Sequence, residues 1–274
     1  MKKIHRIIFI GLVVGLPLAV FLFKQPPQQM AQKSAGGEKK ELKHRVKHLG
    51  LIMDGNRRWA KQNGLSELEG HTKGCEPVRT AVRFCVDQKI PHLTLYAFSL
   101  ENFKRSAEEL DHIFSLVEPG LSGEEFDELI SHGVRIRFVG DRSRVPARLH
   151  QTIQRLEEKT AQGDALNLNI LFCYGGRQEI VAAVKSIAHK IARGQLAADQ
   201  ITEESFGREL WSSHSPALDL VIRTGDDQRL SNFMLWHSAY GELVFLEKYW
   251  PEITYDDLYN AIADFMQRQR RFGK

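Results

Sequence analysis

The segment His48–Ala60, HLGLIMDGNRRWA, carries one carboxylate, a turn and two guanidinium groups, in that order. The apolar run Leu49–Met53 reads as a buried strand that delivers Asp54 into a turn made by Gly55 and Asn56, and Arg57 and Arg58 then open a helix. Glycine lets a backbone come close to an anion. Free amides and the helix dipole attract that anion, and guanidinium groups grip its oxygens in pairs. A carboxylate beside them would hold Mg²⁺ against the same oxygens. The plainer reading is a strand–turn–helix with surface arginines, and this segment alone does not choose between the two.

Two more strand ends repeat the form. The apolar stretch His92–Ala97 runs into AFSLENFKRS, which crowds Ser99, Glu101, Asn102, Phe103 and Arg105 together. Leu218–Ile222 is followed by Arg223, Gly225, Arg229 and Ser231. Open α/β sheets bind ligands beyond the carboxyl ends of their strands. Three strand ends furnished in this way point to a phosphorylated substrate.

The motifs MDGNRRWAK, Gly70–His71, YAFSLENFKRS, CYGGRQEI, IRTGDDQRLSNF, WHSAYGELVF and the terminal RRFGK occur in this order from Lys47 onward. Together they resemble the cis-prenyltransferases, the family of undecaprenyl and dehydrodolichyl diphosphate synthases. The resemblance implies repeated condensation of isopentenyl diphosphate with an allylic diphosphate, usually farnesyl diphosphate, to a long Z-polyprenyl diphosphate. It implies that Asp54 binds Mg²⁺ and the leaving diphosphate, that Gly55, Asn56, Arg57 and Arg58 wrap the allylic diphosphate, and that Trp59 packs at the site entrance. His71 would sit by the same diphosphate, with Glu67 one helical turn before it. Ser99, Leu100, Glu101, Asn102, Phe103 and Arg105 would surround the reacting carbons, and Arg223, Arg229, Leu230 and Ser231 would hold isopentenyl diphosphate. Glu242 would complete the metal site of a partner subunit in a homodimer, and Arg271 and Gly273 would reach across that dimer. Asn102 stands nearest the departing proton by this match, yet a neutral amide is a poor base. It reads as an orienting group, with the released diphosphate as acceptor.

Three positions depart from the family pattern. Most members carry Arg where this chain has Glu67. A carboxylate there repels the allylic diphosphate unless it turns outward or pairs with Lys73 or Lys61. Arg57 stands where bacterial members usually have Gly and Phe103 where they usually have Trp, as in the eukaryotic and archaeal branch. Asp226 and Asp227 replace the usual Gly-Glu.

These groups need a frame. Strands are predicted at Leu49–Met53, Leu93–Ala97, Arg135–Val139, Asn167–Phe172, Leu218–Ile222 and Glu242–Leu246. Helices are predicted at Gly74–Gln88, Ala107–Glu118, Gly123–His132, Pro146–Gln162, Arg177–Ala192, Glu203–Trp211 and Tyr255–Arg270. The alternation gives one α/β domain, a mostly parallel six-stranded sheet flanked by helices, over residues 47–274. Val78, Val82 and Cys85 recur at helical spacing, as core, as the wall of a product tunnel, or both. Leu166, Leu168 and Ile170 are candidates for the tunnel floor.

The 274 residues carry a net charge of +4, unevenly spread. Residues 1–47 hold ten Lys or Arg and two Glu, whereas the remainder is acidic. The basic balance therefore belongs to the tail and argues against nucleic acid as partner. A basic tail suits an anionic membrane surface or a plain solvated linker. Ile7–Phe23 is an uncharged, mostly apolar run within residues 1–24, at the short edge for a membrane span, and residues 25–46 read as a flexible linker. An anchor with the catalytic domain in the cytoplasm, a signal peptide lacking a small-residue cleavage site, and translation from Met30 all remain open. Cys75, Cys85 and Cys173 show no metal spacing and read as buried thiols in a reducing compartment. No His/Cys pattern suggests zinc. A trans-type prenyl synthase would need an Asp-Asp-x-x-Asp helix, which this chain lacks. A non-catalytic partner subunit of a cis-prenyltransferase is the stronger rival, and the retained Asp54, Asn102, Arg105, Arg223 and Arg229 argue against it.

Overall fold

A computed structural model describes residues 42, 45–117, 127 and 130–269. Six strands form one sheet: β1 (His48–Ile52), β2 (His92–Ser99), β3 (Val134–Val139), β4 (Leu166–Tyr174), β5 (Leu220–Thr224) and β6 (Glu242–Leu246). Their order is β3-β4-β2-β1-β5-β6 and every pairing is parallel. The expected mostly parallel sheet is thus wholly parallel. A parallel sheet covered on both faces needs near-continuous apolar strands, and β1 and β5 are buried at every position.

The strand order reverses beside β1. The chain passes from β1 to β2 on one side and returns to β5 on the other. The carboxyl end of β1, where Asp54 lies, is therefore the crevice in which such sheets bind ligands.

Eight α-helices are described: α1 (Asn56–Gln62), α2 (Glu67–Lys73), α3 (Cys75–Asp87), α4 (Ala107–Val117), α5 (Ala147–Lys159), α6 (Gly176–Ala192), α7 (Glu203–Gly207) and α8 (Tyr255–Gln267). The short α2 is absent from the expected set. Ser66 caps it, accepting from the Glu69 amide while Glu69 returns to the Ser66 amide, a capping box that stands in the sequence as Ser-x-x-Glu. Three helices end early, the one expected to reach Gln162 stopping at Lys159. The expected helix to Trp211 stops at Gly207, and the chain turns so that the Ser212 amide and hydroxyl reach the buried Glu179. The last helix stops at Gln267, because Arg268 turns extended and donates to Glu242 and the Leu243 carbonyl. Most of the expected helix Gly123–His132 lies outside the described residues, as do Ile7–Phe23, Arg271 and Gly273. Among the described residues no helix is long and apolar enough to cross a membrane.

The larger core cluster spans Leu49, Leu51, Phe84, Leu95, Phe98, Phe114, Phe172 and Ile262, with Val82 and Cys85 inside it and Val78 packed against it. Leu166 and Leu168 are buried in the same cluster, and Ile170 lies against it. Thr160 accepts from the Ile136 amide and Glu157 from the Phe138 amide. These two bonds close the open edge of β3, which would otherwise invite another strand.

Candidate active site

Asp54 follows β1 by two residues and is pinned by its main chain. The Thr224 hydroxyl at the end of β5 donates to the Asp54 carbonyl at 2.7 Å and accepts from the Asp54 amide at 2.9 Å. The Trp250 amide donates to the same carbonyl at 3.0 Å. The carboxylate then meets two guanidinium groups, Arg223 Nη2 at 2.7 Å and Arg58 Nη2 at 3.2 Å. Gly55 makes the turn at φ +106°, and a Cβ there would come within 2.6 Å of the Tyr249 ring. That conformation and that approach together demand glycine. Arg58 also lies 5.5 Å from the Tyr249 ring centroid, in cation–π range. Trp59 is half-buried, as an entrance residue would be.

Arg223, last but one in β5, is only 4 % exposed. Its Nη1 donates to the Ser231 hydroxyl at 2.6 Å and to the Arg229 carbonyl at 2.5 Å, and its Nε is buried without a partner. The loop beyond bends sharply: Asp226, Ser231, Asn232 and Met234 all have positive φ. Such conformations cost free energy and cluster at functional sites. Leu230 packs half-buried against the smaller core cluster, and the Arg229 side chain reaches Asp227 at 2.8 Å. Asp227 also meets Arg58 at 3.1 Å and Arg223 at 3.8 Å. Burial, the largest single influence, pushes its carboxyl up, but the three cations together hold it below the usual range.

The end of β2 turns through a 3₁₀ segment, Leu100–Lys104, in which Asn102 Oδ1 accepts from the Ser99 amide at 3.0 Å. Glu101 accepts from Asn232 at 2.9 Å, which ties this end to the β5 loop. Phe103 lies edge-on to Phe98, with Arg144 4.8 Å above its ring centroid. His71 and Arg105 are joined by a residue absent from the expected set. Glu109, on α4 and 6 % exposed, accepts from His71 Nε2 at 2.9 Å and Arg105 Nη1 at 3.1 Å, with Arg57 Nε at 3.9 Å. Burial lowers the His71 pKa and the bond to Glu109 opposes it. Only the spacing of Arg105 and Glu109, one helical turn, signals this pair in the sequence. Asp227 carries the same signal, four residues after Arg223.

One expectation is corrected. Glu67 pairs with neither Lys73 nor Lys61; its partner is Arg57, 2.5 Å away, while Lys73 pairs with Glu76. Helix α2 crosses α1 where Gly70 allows contact, since a Cβ there would lie 2.4 Å from the Asn56 carbonyl. That crossing brings Glu67 to Arg57. Glu242 begins β6 opposite Leu220, at the amino end of the sheet, whereas Asp54 is bonded to Thr224 at the carboxyl end. Four strand residues, about 13 Å, separate the two levels. Within one chain they cannot share an ion, and Glu242 pairs with Arg268 at 3.2 Å. Among the described residues no group of three or more His, Cys, Asp or Glu could hold a metal.

The family model of undecaprenyl diphosphate synthases matches residues 52–273. The tritrans,polycis-undecaprenyl-diphosphate synthase (geranylgeranyl-diphosphate specific) of Thermoplasma acidophilum is 43% identical over 231 residues, 84% of this chain and 90% of its own. The ditrans,polycis-undecaprenyl-diphosphate synthase ((2E,6E)-farnesyl-diphosphate specific) of Escherichia coli K12 is 43% identical over 230 residues, again 84% and 90%. Among solved structures, lavandulyl diphosphate synthase from Lavandula x intermedia, in complex with dimethylallyl diphosphate, superposes with a TM-score of 0.81 at 33% identity, over 84% of this chain and 98% of that one. An undecaprenyl diphosphate synthase structure from Campylobacter jejuni gives 0.68 at 34% identity, over 84% and 99%. Likeness in sheet and sequence over this much of its length places the chain in the undecaprenyl diphosphate synthase family of cis-prenyltransferases, as a chain-elongating transferase.

Proposed function

We propose that the chain condenses isopentenyl diphosphate repeatedly with farnesyl diphosphate, giving a long Z-polyprenyl diphosphate such as undecaprenyl diphosphate. The observation that carries this reading is the set of guanidinium groups at the topological switch point. Arg58 and Arg223 flank one carboxylate, Asp54, and a buried Arg223 Nε–H has no partner. A buried cationic donor needs an acceptor, and a diphosphate oxygen supplies one. Each elongation breaks the C1–O bond of the primer, whose electrons leave with diphosphate. It forms a bond from the isopentenyl double bond and releases a proton. Arg58 and the turn at Gly55 meet the charge that develops on the leaving oxygens. Arg223 and Ser231, with Arg229, hold the second diphosphate. Asn102 orients the reacting carbons, and the departing diphosphate takes the proton.

Asp54 fits Mg²⁺, a hard cation bound through one or two carboxylates plus substrate phosphates. When bound, the ion supplies Lewis-acid stabilisation of the leaving diphosphate. Glu242, a sheet length away, fits that role only from a second subunit, so the reading includes a homodimer. Exposed Trp236 and Tyr240, with Val181 and Val184 on α6, support an apolar contact face. The names of equally similar relatives specify farnesyl or geranylgeranyl primers, and both primers present the same diphosphate. Residues 7–23 would keep the enzyme at a membrane that accepts its product, with the catalytic domain in the cytoplasm. Protein beginning at Met30 should then lose salt-resistant membrane association and keep activity.

The test is radiolabelled isopentenyl diphosphate with each primer and Mg²⁺. Chain-length-resolved products from the purified chain support the reading. No incorporation with either primer would assign the chain to the non-catalytic subunits instead.

A further inference from the structure

Glu67 opens α2 with its carboxylate 2.5 Å from Arg57, the first arginine after the Asp54 turn. Both side chains are about half exposed, 50 % for Arg57 and 47 % for Glu67. Water and dissolved anions therefore reach the pair, unlike the buried contacts of Glu109. The Glu67 carboxyl lies below its ordinary range, first through the bond from Arg57, with further pull from His71 and Arg105. It thus sits within the field of Arg57, His71 and Arg105, of which the family resemblance sets Arg57 and His71 beside the primer's diphosphate.

Two effects of Glu67 oppose each other. By holding one nitrogen of Arg57 it orients the remaining donors, which favours binding. By occupying a guanidinium nitrogen that a diphosphate oxygen would otherwise take, it disfavours binding. Orientation by an exposed ion pair is worth little. A charge-assisted bond from Arg57 to a diphosphate oxygen is worth more than that, so the loss of this bond outweighs orientation. We propose that Glu67 is a positioning residue acting through Arg57: it holds that guanidinium partly away from the primer's diphosphate and so sets the grip loosely enough for each diphosphate to leave. The inference rests on the allylic site lying at the Asp54 turn, as proposed above. It gives the carboxylate a use at a position where a cation would only tighten the site. Elongation repeats at one site, and a diphosphate must depart after each addition.

The experiment measures the KM of both substrates and, by calorimetry, the Kd of inorganic diphosphate with Mg²⁺. Five proteins are compared: wild type, Glu67→Gln, Glu67→Asp, Arg57→Ala and the double variant Arg57→Ala/Glu67→Gln, for which Arg57→Ala is the reference. Glu67→Gln is expected to lower the primer KM and the diphosphate Kd about fivefold, the scale of one exposed ion pair, with the isopentenyl diphosphate KM unchanged. Glu67→Asp restores wild-type values, and the gain vanishes in the Arg57→Ala background. Unchanged or weaker diphosphate binding in Glu67→Gln overturns the proposal. So does a gain that persists without Arg57, or an equal shift in both KM values. A chain that condenses no primer would sink the functional reading alone, since calorimetry on diphosphate still decides the role of Glu67.

Discussion

Two carboxylates in the site each gather three nitrogen-bearing side chains, yet they stand in different surroundings. Glu109 is 6 % exposed and holds His71, Arg105 and, more distantly, Arg57. Asp227 is 26 % exposed and holds Arg229, Arg58 and, more distantly, Arg223. Breaking a buried pair leaves a charge without water to solvate it, which costs several kcal/mol. An exposed pair contributes a small fraction of that. Glu109 is therefore a fixed brace, and Asp227 is a counter-charge that arriving anions can displace. Asp54 lies between these regimes: its partner Arg223 is buried, while the carboxylate itself is about one-third exposed.

The largest expected effect comes from Asp54. Asp54→Asn removes the acid at the carboxyl end of β1 and should lower kcat by roughly 10³-fold, the scale for losing one preorganised electrostatic contact. Steady-state condensation with saturating substrates reads it. Next is Glu109→Gln, which leaves Arg105 and His71 without their buried anion. It should lose on the order of 3 kcal/mol in urea unfolding and raise the primer KM. Asp227→Asn should cost less than about 1 kcal/mol of stability while changing the isopentenyl diphosphate KM. Equal stability losses in Glu109→Gln and Asp227→Asn would erase the distinction between brace and counter-charge. Arg229→Ala should weaken isopentenyl diphosphate and Arg58→Ala the primer. Parallel losses for both substrates in both variants would merge the two pockets into one.

The smallest effect near neutral pH is acid sensitivity. Burial lowers His71, holds His214 at about 4 and holds His48 at about 3, where the latter accepts from Thr94 at the amino end of the sheet. The unfolded chain binds these protons near pH 6.5 and the folded chain only at lower pH. This contribution to stability is complete above pH 6.5 and declines from there toward pH 3. Urea midpoints should be flat from pH 7 to 8 and fall steadily on acidification. A midpoint that rises between pH 6.5 and 5 would contradict neutral buried histidines.

Chemistry confined to one strand end was legible in the sequence. Asp54, Arg58, Arg223 and Ser231 stand in order after apolar runs, and folding brings them together with little rearrangement. What depends on packing between elements was not legible. The partner of Glu67 lies ten residues back in the chain and arrives only because α2 crosses α1 at Gly70. Lys61 and Lys73 were the expected partners by sequence proximity, but a spacing of six residues does not share a helical face. Glu242 was recognisable by type, yet its place at the amino end of β6 follows from register, which periodicity does not encode. The strands were legible because buried parallel strands are continuous apolar runs. β5 nevertheless begins at Leu220, two residues later than its apolar run, because His237 and Asp219 secure Leu218 and the chain beside it through loop hydrogen bonds.

The central claim is that Asp54, flanked by Arg58 and Arg223, is where an allylic diphosphate gives up its leaving group. A single-turnover assay with labelled isopentenyl diphosphate, farnesyl diphosphate and Mg²⁺ tests it most directly, comparing wild type with Asp54→Asn at saturating substrates. The account predicts rapid carbon–carbon bond formation by the wild type and almost none by the variant, with primer binding retained. Condensation by Asp54→Asn at the wild-type rate would contradict it.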